Sequence, residues 1–121
     1  ILVLGYSYKP ETGDARETPV KELTRLLSEN GFETLVWDPY VSPEDFPDWA
    51  SVVVEPSNCE DLDLVVIATA HSAINSLDWE SIKSNCKTPV IFDGRRALAP
   101  GEMKENGWSY FGIGYPTGEN A

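Results

Sequence analysis

ILVLG, residues 1–5, is a continuous apolar run closed by a glycine. No polar residue alternates with the apolar ones, so the strand must be covered on both faces, as in a parallel sheet. Working outward, a helix begins at Thr18, which can cap it, with Pro19 at its first position and Val20, Leu23, Leu26 and Leu27 on one face. Gly31 supplies the stop. Strand, connection and helix in that order make the first unit of an α/β fold.

The rest of the chain repeats the theme. FETLVWD (32–38) reads as a second strand and SVVV (51–54) as a short third, separated by the proline-punctuated PYVSPEDFPDW. LDLVVIATA (62–70) is the most apolar stretch and is expected at the centre of the sheet. Asp78 can cap a following helix, with Leu77 and Ile82 at the two positions of a hydrophobic staple. TPVIFDG (88–94) is a fifth strand, PGEMKENG (100–107) a short helix and WSYFGIG (108–114) a last strand. The expected fold is α/β, a Rossmann-like three-layer sandwich whose mainly parallel, doubly wound sheet has about six strands.

Twenty acidic residues against nine basic ones give a net charge of −11. Such a charge repels nucleic acid and anionic membranes, so neither is an expected partner. It would also suit a high-salt cytoplasm. No apolar run approaches the roughly 20 residues of a membrane span, and no secretory signal opens the chain, so the expected location is cytoplasmic. Cys59 and Cys86 lie far apart and form no metal-type pattern with His71, the single histidine, so free thiols and no metal are expected. The chain starts without a methionine and inside a strand, which suggests a piece of something longer.

The connection from Tyr6 to Thr18 is far longer than the about two to six residues usual between such elements, and long connections tend to be functional. In doubly wound sheets ligands bind beyond the carboxyl ends of the strands, near the point where strand order reverses. Lys9 and Arg16 lie in this first connection, and Arg95 and Arg96 directly follow the fifth strand. Four of nine basic residues thus fall on one expected edge of an acidic protein, which marks a local anion site. With strand order 3-2-1-4-5-6, the two loops would stand about 10 Å apart, a gap that a pyrophosphate and sugar could bridge. Arginine pairs with phosphate oxygens through a planar fork, and lysine adds a compact charge. The bland alternative makes these cations solvated or paired with Asp14, Glu17 and Asp93.

Gly5-x-Ser7-x-x-Pro10 occupies the place of a dinucleotide fingerprint but lacks its second and third glycines, so close backbone approach to a pyrophosphate is not supported. Asp38, where such a domain would bind ribose, is at least as well read as a turn former before Pro39. Tyr6 is expected to pack and Tyr8 to touch ligand. His71 follows the fourth strand, where a lone histidine is more often a hydrogen-bonding loop residue than a catalyst.

Taken together, GYSYKPETGDARETP, VWDPYV, LVVIATAHS, LDWESIK, PVIFDGRRAL and YFGIG resemble the C-terminal UDP-binding domain of the UDP-glucose/GDP-mannose dehydrogenase family over nearly the whole chain. The resemblance implies that residues 1–114 form a UDP-sugar-binding domain and 115–121 a frayed tail, the NAD-binding and central domains being absent from this chain. It further implies an NAD-dependent nucleotide-sugar 6-dehydrogenase that oxidises the sugar C6 alcohol to a carboxylate with two NAD, through a thioester on a catalytic cysteine. UDP-glucose, UDP-N-acetylmannosamine and GDP-mannose are the substrates it leaves open, and a homodimer or higher oligomer is implied. By the same resemblance Tyr8, Lys9 and Arg95 bind the substrate and Arg16 reaches the NAD phosphates at the domain interface. The cysteine belongs to a glycine-rich segment that neither Cys59 nor Cys86 matches, so no catalytic residue is expected here. Ala99 stands where a capping aspartate is common in the family, and Arg96 inherits no role. A stand-alone nucleotide-sugar-binding module without redox activity is the first alternative, and a divergent Rossmann domain that binds NAD itself, against which the missing glycines argue, is the second.

Overall fold

The computed structural model describes residues 1–16 and 18–113. Six strands, β1 (Leu2–Leu4), β2 (Leu35–Trp37), β3 (Ser51–Val52), β4 (Val65–Ile67), β5 (Val90–Asp93) and β6 (Ser109–Gly112), form one sheet in the order β3-β2-β1-β4-β5-β6. Every pairing is parallel. The chain runs outward from β1 to β3, returns to the far side of β1 as β4, and runs outward again. The order therefore reverses between β1 and β4, as the sequence led us to expect.

Strand parity divides the core. Leu2, Leu4, Ile67, Ile91 and Tyr110 face α2 (Trp79–Ser84) and α3 (Pro100–Glu105), which contribute Ile82 and Met103. Val3, Val36 and Val66 point the other way, toward Val20 of α1 (Pro19–Glu29), Tyr6 and Phe46. Successive residues alternate because a strand repeats every two residues, and each buried aliphatic side chain contributes about 1.5–3 kcal/mol.

Both expected caps are present. Thr18 accepts from the Val20 N–H and Asp78 from the Ser81 N–H, while Ala99 offers α3 no side-chain cap. Ile82 is buried, and Leu77 packs against the same cluster. The strands are shorter than the apolar runs that announced them. Phe32, read as strand, instead closes α1: its N–H donates to the Leu27 carbonyl and that of Gly31, at φ +88°, to Ser28. That paired closure leaves Phe32 exposed. Leu26 is also exposed, because six residues beyond Val20 at 3.6 per turn lies well off the apolar stripe. Buried Thr24 fills the stripe, donating to the Lys21 carbonyl and accepting from the Trp49 indole. The tail expected over 115–121, like the boundary at 114, lies outside the described residues. No helix among the described residues is long and apolar enough to cross a membrane.

Candidate functional site

The connection after β1 crosses the sheet edge at the reversal point. Gly5 takes φ +94°, and a Cβ there would stand 2.5 Å from that of Thr69, so only glycine lets this chain pass the end of β4. Tyr6 then turns into the core against Phe46, ring centroids 5.4 Å apart, and its carbonyl accepts from Thr18 Oγ1 at 2.7 Å. Packing is thus the role of Tyr6.

Beyond Tyr6 the connection has no large apolar side chain to anchor it, so its backbone must find polar partners. Asp38, buried just past β2, supplies them: Oδ2 accepts from the N–H groups of Tyr6 at 2.8 Å and Ser7 at 2.9 Å, and Oδ1 accepts from the Tyr40 N–H at 2.9 Å. Thr69, past β4, donates its hydroxyl to the Ser7 carbonyl at 2.9 Å. Farther along, Glu11 adopts φ 62°, a left-handed conformation uncommon outside glycine, and its carboxylate accepts from the Tyr40 hydroxyl at 2.5 Å and the Ser72 N–H at 2.6 Å. A Cβ on Gly13 would meet the Tyr40 carbonyl oxygen at 2.2 Å, so the loop passes in backbone contact with the turn after β2.

These contacts shape the electrostatics. Burial pushes the Asp38 carboxyl up, but hydrogen bonds from His71 and the Tyr6, Ser7 and Tyr40 amides outweigh it and hold the group below its ordinary range. Bonds from Tyr40 and Ser72 lower Glu11 to about 2. Burial raises the thiols of both Cys59 and Cys86, which makes them poor nucleophiles. No group of His, Cys, Asp or Glu among the described residues has a metal-binding arrangement.

Tyr8, Lys9 and Arg16 line one open hollow of about 900 Å³, with Asp14. Tyr8 is exposed, as a ligand-contacting aromatic must be. Arg16 forks onto Asp14, Nε to Oδ1 at 3.1 Å and Nη2 to Oδ2 at 3.3 Å, so one bland pairing is present. Arg95 stands on the loop after β5, its Nε donating to the Ala68 carbonyl past β4 at 3.0 Å. Arg96, at φ 54°, donates its Nη1 to the Ile113 carbonyl at 3.0 Å and does not line the hollow. Three of the four cations therefore flank the reversal point, and Arg96 does not join them. The Asp93 carboxylate accepts from the N–H groups of Arg95, Ala97 and Leu98 and from the Tyr110 hydroxyl.

Glu11 had no expected role, and Asp38 was expected only as a turn former or ribose ligand. Asp38 does form the turn, through Tyr40, but its larger part is to anchor the first loop. His71 makes loop hydrogen bonds, as expected, and it is also buried, with Nε2 2.8 Å from Asp38 Oδ2.

Residues 2–100 match the UDP-glucose/GDP-mannose dehydrogenase family, UDP binding domain. The UDP-glucose 6-dehydrogenase of Rickettsia bellii is 32% identical over 94% of this chain and 27% of its own length. For the UDP-N-acetyl-D-mannosamine dehydrogenase of Pyrococcus horikoshii the figures are 33%, 94% and 25%. The chain thus spans about a quarter of the curated relatives it matches. Among solved structures, the NDP-N-acetyl-D-galactosaminuronic acid dehydrogenase of Methanosarcina mazei superposes with TM-score 0.83 at 29% identity, over 99% of this chain and 26% of that one. By sequence and by fold, this chain belongs to the UDP-glucose/GDP-mannose dehydrogenase family, as its UDP binding domain.

Proposed function

We propose that this chain is the substrate-nucleotide domain of an NAD-dependent nucleotide-sugar 6-dehydrogenase. The observation that carries the reading is the anchored first loop, which presents Tyr8, Lys9 and Arg16 to one hollow at the reversal point of a domain in this family. Lys9 would place a point charge on the substrate diphosphate and Arg95 a planar fork, with the Tyr8 ring against base or sugar. Arg16, held flat by Asp14, would face the phosphates of NAD. Only this edge contact suits the cofactor, because Ser7 and Pro10 occupy the fingerprint positions where glycines would admit a pyrophosphate. NAD would supply the hydride acceptor, two molecules taking the four electrons that separate a primary alcohol from a carboxylate. A cytoplasmic homodimer or larger assembly acting on a UDP-sugar is the form we propose for the intact protein.

Calorimetric titration of UDP into the intact protein tests the reading. Lys9→Ala and Arg95→Ala should each weaken binding about tenfold, the equivalent of about 1.4 kcal/mol, with unchanged melting temperature. Unchanged affinity in both would overturn it.

A further inference from the structure

Lys9 lies at the tip of the first loop, outside the core, and its direction is set by the backbone that carries it. Both ends of the Tyr8-Lys9-Pro10 tip converge on one buried side chain. The imidazole of His71, 1% exposed, accepts the Glu11 N–H on Nδ1 at 2.9 Å, directly after Pro10. An acceptor at Nδ1 of the neutral ring leaves the proton on Nε2, which donates to Asp38 Oδ2 at 2.8 Å. Ser7 Oγ, directly before Tyr8, stands 3.2 Å from the same Nε2 and donates its own proton to the Lys9 carbonyl at 2.9 Å. The one Nε2 proton is thus shared between Asp38 Oδ2 and, at the longer distance, Ser7 Oγ, which links Asp38 and His71 through Ser7 to the Lys9 carbonyl, while a separate bond joins Glu11 to Nδ1. The Tyr40 ring, its centroid 4.7 Å from that of the imidazole, packs against it.

We propose that His71 is a positioning residue for Lys9, clamping the loop tip from both ends so that the ammonium meets the substrate diphosphate. This rests on the reading of Lys9 as a diphosphate ligand. Imidazole suits the task because it presents a donor and an acceptor in opposite directions from one rigid ring. Asparagine can keep the acceptor toward Glu11 but is too short to reach Asp38 and Ser7 as well.

A double-mutant cycle on the intact protein, read by UDP titration with melting temperature as the control for folding, tests the proposal. His71→Asn should weaken UDP binding about three- to tenfold. Added to Lys9→Ala it should weaken binding no further, because a residue that acts through Lys9 has nothing left to position. Ser7→Ala, which removes only the hydroxyl link to the Lys9 carbonyl, goes through the same cycle and carries the test should His71→Asn not fold. Losses that add to that of Lys9→Ala, or folded variants with native affinity, would overturn the positioning role while leaving Lys9 a ligand. An unchanged affinity in Lys9→Ala alone would instead remove the ligand assignment, and the proposal with it.

Discussion

The loops after β1 and β5 open on the same sheet edge, and each hangs from a buried aspartate at a strand's end. Asp93 ties down its own loop: among the described residues its donors are the Arg95, Ala97 and Leu98 amides, two to five residues on, and the Tyr110 hydroxyl from neighbouring β6. Asp38 holds a loop 31 and 32 residues earlier in the sequence, reaching Ser7 and Tyr6 across the sheet edge. Each loop also contains one non-glycine residue in the left-handed region, Arg96 at φ 54° and Glu11 at φ 62°. Such backbones cost on the order of 1 kcal/mol and persist only where surrounding bonds over-determine them. A short loop can be secured by its own strand; a long one takes its shape from its neighbours. The first loop is therefore formed only when the turns after β2 and β4 are formed too.

Substitutions can break this contrast at either aspartate. Asp93→Ala should have the largest effect, about 4 kcal/mol in urea unfolding, because it strands the buried Tyr110 hydroxyl and three partly buried amides together. Asp38→Ala should cost about 3 kcal/mol, since Thr69 and Glu11 still hold parts of the loop, but should weaken UDP binding out of proportion to its effect on stability. A stability loss larger than that of Asp93→Ala would invert the contrast. Gly13→Ala should cost about 2 kcal/mol, because backbone rather than a flexible side chain must retreat from the new Cβ. Tyr110→Phe removes one bond to Asp93 and should cost about 1 kcal/mol; in the native protein, burial and the bond to Asp93 push this phenol up to about 12.

The smallest effect lies in acid. The Glu11 carboxyl sits at about 2 in the folded protein against an ordinary 4.5. A group lowered on folding stabilises fully above its unfolded value and loses that contribution as pH falls toward the folded one. The difference in melting temperature between the native protein and Glu11→Gln should therefore be constant above about pH 5 and shrink between about pH 4.5 and about pH 2. A difference that does not change over that window would show that Glu11 contributes nothing through its charge.

What the sequence revealed follows the same division between local and distant. Thr18 and Asp78 were legible as caps because the groups they satisfy lie two and three residues away. The parallel, doubly wound sheet was legible from apolar runs alternating with helical signals, although the strand ends were not, as Phe32 and Leu62 show. Phe32 ends a helix, and Leu62 pairs with Cys86 in an isolated bridge. Lys9, Arg16 and Arg95 stood out because cations are scarce in this chain. Glu11 and His71, 60 residues apart, left no periodic trace. The available signal was indirect: a long polar loop whose amides needed partners, near an aspartate and a histidine that each closed a strand.

The most direct test of the first loop as a preformed nucleotide-binding element is a crystal structure of the intact protein with UDP. The expected result places a diphosphate oxygen within about 3 Å of Lys9 Nζ, with the His71, Ser7 and Glu11 bonds unchanged. A diphosphate bound away from both Lys9 and Arg95, or a loop tip rebuilt around it, would contradict it.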